Sequence, residues 1–142
     1  MNIKDFKLFR DKNYIDGEWI ASDSGDTISV NNPANLKEIG TVPKCGTSET
    51  KKAIEAANKA WPDWKSKSAR QRSDVLRKWF DLIIKNKEEL AQIMTIEQGK
   101  PINESRGEIG YGASFIEWFS EEAKRVYGDT IPCLLYTSDA AD

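Results

Sequence analysis

The chain of 142 residues contains no histidine. That absence removes the Ser-His and Cys-His dyads, the HExxH metal motif and every imidazole proton shuttle. Catalysis on this chain would have to run on Cys, Lys, Tyr or carboxylates. Cysteine is scarce too. Cys45 and Cys133 stand far apart without a CxxC spacing, so neither a disulfide scaffold nor a zinc site is suggested. No apolar run approaches the ~18 residues that a membrane span needs. The N-terminal stretch MNIKDFKLFRDKNYIDGEW has no apolar core of signal-peptide length and no small-residue cleavage pattern, which predicts a soluble, cytoplasmic protein without a membrane partner. Charge of one sign is missing as well. The 21 basic and 23 acidic residues leave a formal net charge of -2, which argues against a nucleic-acid footprint.

What is present falls into two halves. Residues 1–12 read as a charged lead-in with Phe6, Leu8 and Phe9 as apolar anchors. Asp16-Gly17, between Tyr14-Ile15 and Glu18-Trp19-Ile20, is a two-residue hairpin signal in which both turn positions want positive φ. Strands are predicted at 27–30 and 36–42, broken apart by Asn32-Pro33, so that the first forty-odd residues form a small antiparallel β element. The remainder reads as three or four helices. Thr47 or Ser48 can cap the first, which carries Ala53, Ile54, Ala57, Ala60, Trp61 and Trp64 and is expected to end or kink at Pro62. Ser68 with Gln71 makes a capping box for a second, burying Val75, Leu76, Trp79, Leu82 and Ile83. Asn86 with Glu89 resembles another cap, for a helix carrying Leu90, Ile93 and Met94 that is either continuous with its predecessor or offset from it. Gly99 sits where a C-terminal cap belongs. A last helix is expected from Pro101 to Tyr127, with Ile109, Phe115, Ile116, Phe119, Ala123 and Val126 inward and Gly128 closing it. Five tryptophans in so short a chain call for a larger partner surface.

Candidate chemistry is thin. Gly110-Tyr111-Gly112 follows no strand and lies inside a helical pattern. A close approach of a neighbouring element explains it better than a phosphate loop. Glu104, Glu108, Glu117, Glu121 and Glu122 read as a solvated face, with Glu121 and Arg125 spaced for an i,i+4 pair. Cys45 precedes a helix N-terminus, where a thiolate is favoured, but no base lies near it in sequence. Tyr111 and Phe115, four apart on one helix face, suit core packing or, alternatively, the aromatic wall of a substrate channel.

Several segments, in order and at the right spacing, resemble the aldehyde dehydrogenase family: Tyr14-Ile15-Asp16-Gly17-Glu18-Trp19, Asn32-Pro33-Ala34, Ile39-Gly40-Thr41-Val42-Pro43, Ala60-Trp61-Pro62-Asp63-Trp64 and Glu97-Gln98-Gly99-Lys100-Pro101. The stretch from Ser114 to Pro132 is particularly similar to the succinate-semialdehyde dehydrogenases among them. The resemblance covers roughly residues 8–132. It implies an α/β fold of which this chain is the N-terminal part: 13–132 as the beginning of the NAD(P)-binding domain, with most of the parallel sheet missing. It implies oxidation of an aldehyde to its acid with NAD or NADP, a small-molecule aldehyde substrate and a homo-oligomer, dimer or tetramer. In such enzymes a cysteine thiolate attacks the aldehyde, and a glutamate helps water to hydrolyse the thioester. Those residues lie beyond Pro132 in the family, and neither Cys45 nor Cys133 matches the catalytic motif. No catalytic or cofactor-binding residue is therefore expected here, and the chain alone is expected to be inactive. The helix of Tyr111 and Phe115 looks like the one that lines the family's substrate tunnel. Asn31 and Glu97 fall where some relatives hold a structural monovalent cation. Residues 133–142 look like the translation of a sequencing adapter and are expected to be a non-native tail. The competing expectation is a stand-alone helical module that binds a protein partner through exposed tryptophans.

Overall fold

Asp16 and Gly17 adopt φ of 51° and 86°, the pair of positive values that a tight two-residue hairpin demands. They join β1 (Asn13–Ile15) to β2 (Glu18–Ile20), with Tyr14 opposite Trp19. The computed structural model describes residues 3–128; the expected junction after Pro132 and the 133–142 tail lie outside the described residues. A second hairpin pairs β3 (Thr27–Asn31) with β4 (Glu38–Pro43), Val30 opposite Gly40, with a bulge between Val30 and Asn31. The expected single β element is thus two separate two-stranded sheets. The loop between them turns away because Ser22 donates its hydroxyl to the Asp26 carbonyl at 2.7 Å and Gly25 takes φ of 76°.

Four helices follow: α1 (Thr47–Ser66), α2 (Ala69–Lys85), α3 (Lys87–Gln98) and α4 (Ile102–Glu122). The capping box of α2 forms as predicted, the Gln71 N–H donating to Ser68 Oγ and the Ser68 N–H to Gln71 Oε1. Gly99 closes α3 with φ of 67°. The cap of α1 is neither Thr47 nor Ser48 but Gly46, whose N–H donates to Glu49 Oε2 at 2.9 Å. Glu49 is buried, and its Oε1 accepts the Asp23 N–H at 2.6 Å. Asp23 in turn accepts from Ser48 and Lys52, so the loop before β3 and the first turn of α1 are laced together. Pro62 does not end α1, which continues to Ser66; the last turn is held by the Ser66 hydroxyl on the Asp63 carbonyl and the Lys67 N–H on the Trp64 carbonyl. Asn86 separates α2 from α3, but its side chain donates back to the Leu82 carbonyl. Glu89 does not complete a cap either. It accepts the Leu8 N–H at 2.7 Å and fastens the lead-in to α3.

Helices α2, α3 and α4 pack together, α4 lying against both of the others. The contacting face of α4 keeps only part of the expected apolar stripe, with Ile109, Ile116 and Ala123 half-buried. Its buried residues are Ser105, Ala113 and Ser120, and α4 ends at Glu122, before Val126. Small side chains let helix axes approach, and the hydroxyls are satisfied locally, Ser120 on the Glu117 carbonyl and Ser105 on Thr95. Phe115 and Phe119, expected inward, are exposed, as are Val75, Trp79 and Leu82 of α2. Only Ile3, Ala91 and Ala113 are fully buried apolar residues among those described, against seventeen large apolar side chains left exposed. Among the described residues no strands pair in parallel.

Candidate functional site

Tyr111 and Phe115 lie one turn apart on α4, and their rings meet edge to face, centroids 4.8 Å apart at 82°. Of the two alternatives, core packing does not hold in this structure: Tyr111 is 67% and Phe115 46% exposed. Phe115 forms one wall of a cleft of about 720 Å³ along α4, together with Trp118 and Phe119; Tyr111 stands outside it. Trp118 shares this aromatic side of α4 and escaped notice in the sequence, where it read as one tryptophan among five.

Charge rims the cleft. Arg77 of α2 pairs with Glu117 at 3.0 Å and lies over the Phe80 ring at 4.9 Å. The i,i+4 pair expected between Glu121 and Arg125 is replaced by two i,i+3 pairs, Lys124 with Glu121 at 2.6 Å and Arg125 with Glu122 at 3.0 Å. The hydrogen bond from Lys124 holds the Glu121 carboxyl below its ordinary value. Glu117, Glu121 and Glu122 are thus each engaged by a cation.

The other candidates separate. Gly110 and Gly112 sit inside α4, so no strand-to-helix phosphate turn exists there. Nor do they admit a neighbouring backbone: Gly110 meets only the Lys87 side chain, and Gly112 faces open space. Cys45 is half-buried beside Asn13, whose amide approaches its Sγ at 2.9 Å. Asn31 ends β3 and accepts the Ser29 hydroxyl at 3.4 Å, whereas Glu97 lies in the last turn of α3. Their two segments come together where Pro33 lies under Gly99. Partial burial pushes the Glu97 carboxyl above its ordinary value. Among the described residues no group of three His, Cys, Asp or Glu side chains could hold a metal ion.

The fold is that of the beginning of a larger oxidoreductase. It superimposes on the crystal structure of succinate-semialdehyde dehydrogenase from Burkholderia pseudomallei with a TM-score of 0.88 at 56% identity, covering 92% of this chain and 27% of that one. Residues 19–141 match the aldehyde dehydrogenase family, and the chain belongs to it. Among curated relatives, glutarate-semialdehyde dehydrogenase of Pseudomonas aeruginosa is 60% identical over 132 residues, 93% of this chain. Succinate-semialdehyde dehydrogenase [NADP(+)] of Escherichia coli is 52% identical over the same length. The chain spans 27% of the length of each, at the N-terminal end.

Proposed function

We propose that this chain is the N-terminal part, over residues 13–132, of the cofactor-binding domain of a cytoplasmic NAD(P)-dependent dehydrogenase. The enzyme would oxidise a short dicarboxylic semialdehyde, succinate or glutarate semialdehyde, to the dicarboxylic acid. The observation that carries this is the identity of 52–60% over 132 residues to two relatives named for those substrates. The higher identity to the glutarate enzyme puts the longer semialdehyde beside the succinate expected from the sequence. NAD or NADP, when bound, accepts the hydride, and no described residue is assigned to holding it.

The chain's own part is to present α4. Exposed, paired edge to face and carrying no charge, Tyr111 and Phe115 suit an apolar wall along which an aldehyde chain can lie. Asn31 and Glu97 are proposed contributors to a monovalent cation site. A carboxylate already lifted by desolvation gains most from a hard cation, and carbonyl oxygens of the nearby turn would complete the shell. The assembled enzyme is proposed to be a dimer or tetramer, and the isolated chain to be inactive for want of a catalytic cysteine and glutamate.

The test begins with long reads of the source DNA across the codon for Pro132. Expression of the continued frame should give NAD(P)H formation with succinate and glutarate semialdehydes, and less with uncharged aldehydes of equal length. A frame that closes after Asp142, or a full-length product indifferent to the terminal carboxylate, would sink the assignment.

A further inference from the structure

Three polar contacts gather at the corner that Gly99, Lys100 and Pro101 make between α3 and α4, two of them bridging the helices and one tying the corner itself to α4. At the centre, Ser105, fully buried, shares a 2.9 Å hydrogen bond with the Thr95 hydroxyl. On one flank the Arg106 guanidinium grips Glu88 as a fork, Nε on Oε2 and Nη2 on Oε1, both at 2.8 Å. Its Nη1 donates to Asn103 at 2.8 Å, and Gln92 donates to Glu88 at 3.1 Å. The fork holds the Glu88 carboxyl down to about 2. On the other flank Lys100 pairs with Glu108.

The angular positions matter. At 3.6 residues per turn, Arg106 lies about 100° round the helix from Ser105 in one direction and Glu108 about 60° in the other. Tyr111 and Phe115 follow on the Glu108 side, about 120° and about 80° from Ser105. The fastenings therefore bracket the buried face, and the ring pair projects just past one of them. The remaining contact face of α4 sets the small Ala113 and Ser120 beside half-buried Ile109 and Ile116, and these apolar contacts carry none of the directionality of a hydrogen bond. A bidentate fork fixes direction as well as distance. A buried hydroxyl pair leaves an unsatisfied group behind if it parts. A roll of about 10° carries a ring at the helix surface, ~6 Å from the axis, through about 1 Å. A shift on that scale weakens the fit of an aldehyde chain against the rings.

We propose, resting on the reading that α4 faces the substrate, that Ser105 and Arg106 are positioning residues that set the roll of α4 and so aim Tyr111 and Phe115 at the aldehyde. Arg106→Lys keeps the charge and loses the fork. Ser105→Ala removes only a hydroxyl.

The experiment compares steady-state kinetics of the full-length enzyme carrying Tyr111→Ala, Arg106→Lys, Ser105→Ala, or the paired reversal Glu88→Arg with Arg106→Glu. The expected result is a several-fold rise in KM for the semialdehyde in the first three, with kcat little changed. The paired reversal should bring KM back towards the parent value, while Arg106→Glu alone should not. If Tyr111→Ala leaves KM unchanged, the substrate-facing reading falls. If Tyr111→Ala raises KM while Arg106→Lys and Ser105→Ala do not, the positioning role alone falls. It falls equally if kcat and Tm drop together with KM untouched, which marks a purely structural contact. Should Arg106→Lys lose its cooperative melt, Ser105→Ala decides between the two outcomes by the same comparison of KM.

Discussion

Glu49 shows how one side chain can organise residues far apart in sequence. Its two carboxylate oxygens take backbone N–H groups from Asp23 and Gly46, and these bonds, the Asp23 one first, hold its carboxyl below the ordinary 4.5. A folded-state value below the unfolded one means that stability is present above the ordinary value and is lost as pH falls through the lowered one. In Glu49→Gln one oxygen becomes an amide that faces an N–H donor, leaving a backbone group unpaired. The variant should melt at a lower temperature than the parent at neutral pH, and the gap should close as the pH is taken below 4.5. Thermal melts across that range check it, and a gap that stays constant would refute the link to ionisation. The sequence offered Thr47 and Ser48 as caps because their hydroxyls can accept a hydrogen bond, whereas Gly46 caps through its own N–H on Glu49. The second bond of Glu49, to Asp23 26 residues back, could not be read from local spacing.

At the level of elements, the features written in local chemistry were the ones the sequence disclosed. Asp16-Gly17 needs no partner to favour positive φ, Ser68 and Gln71 satisfy one another, and Gly99 fits a left-handed C-cap. Gly99 also lies against Pro33, so that a methyl group there would come within 2.9 Å of the Pro33 ring. Gly99→Ala should therefore cost about 1–3 kcal/mol from the backbone conformation alone, and more if the 32–34 turn is displaced; denaturant unfolding measures it. What the sequence concealed was direction. On α2 and α4 the apolar residues were assigned inward; Leu76, Ile83, Ile109 and Ile116 are half-buried, but Ser105, Ala113 and Ser120 are the residues fully buried on α4, and Trp79, Phe115 and Phe119 turn outward. Hydropathy marks a face that must be covered, but not which part of a chain covers it. Likewise Tyr111 and Phe115 could be singled out by their spacing, whereas the mount that aims them depends on Glu88 and Thr95 of another helix.

The whole molecule exposes 11013 Å² of surface, where a compact monomer of 16.1 kDa exposes about 7,400 Å². Four of its five tryptophans are exposed, Trp19, Trp61, Trp79 and Trp118. Such a chain, studied alone, should bind the dye ANS, show weak near-UV circular dichroism and aggregate at concentrations that full-length relatives tolerate. A sharp near-UV spectrum with a cooperative melt would count against this. On the proposed assignment the bare aromatic side of α4 also has a history in time. Synthesis starts at the N-terminus, so this quarter of the protein leaves the ribosome first. At roughly 5–20 residues per second the remaining three quarters take tens of seconds to follow. Until the later segments emerge, Trp118 and Phe119 stay largely exposed, so the newborn segment is a natural client for whatever chaperone waits at the exit tunnel.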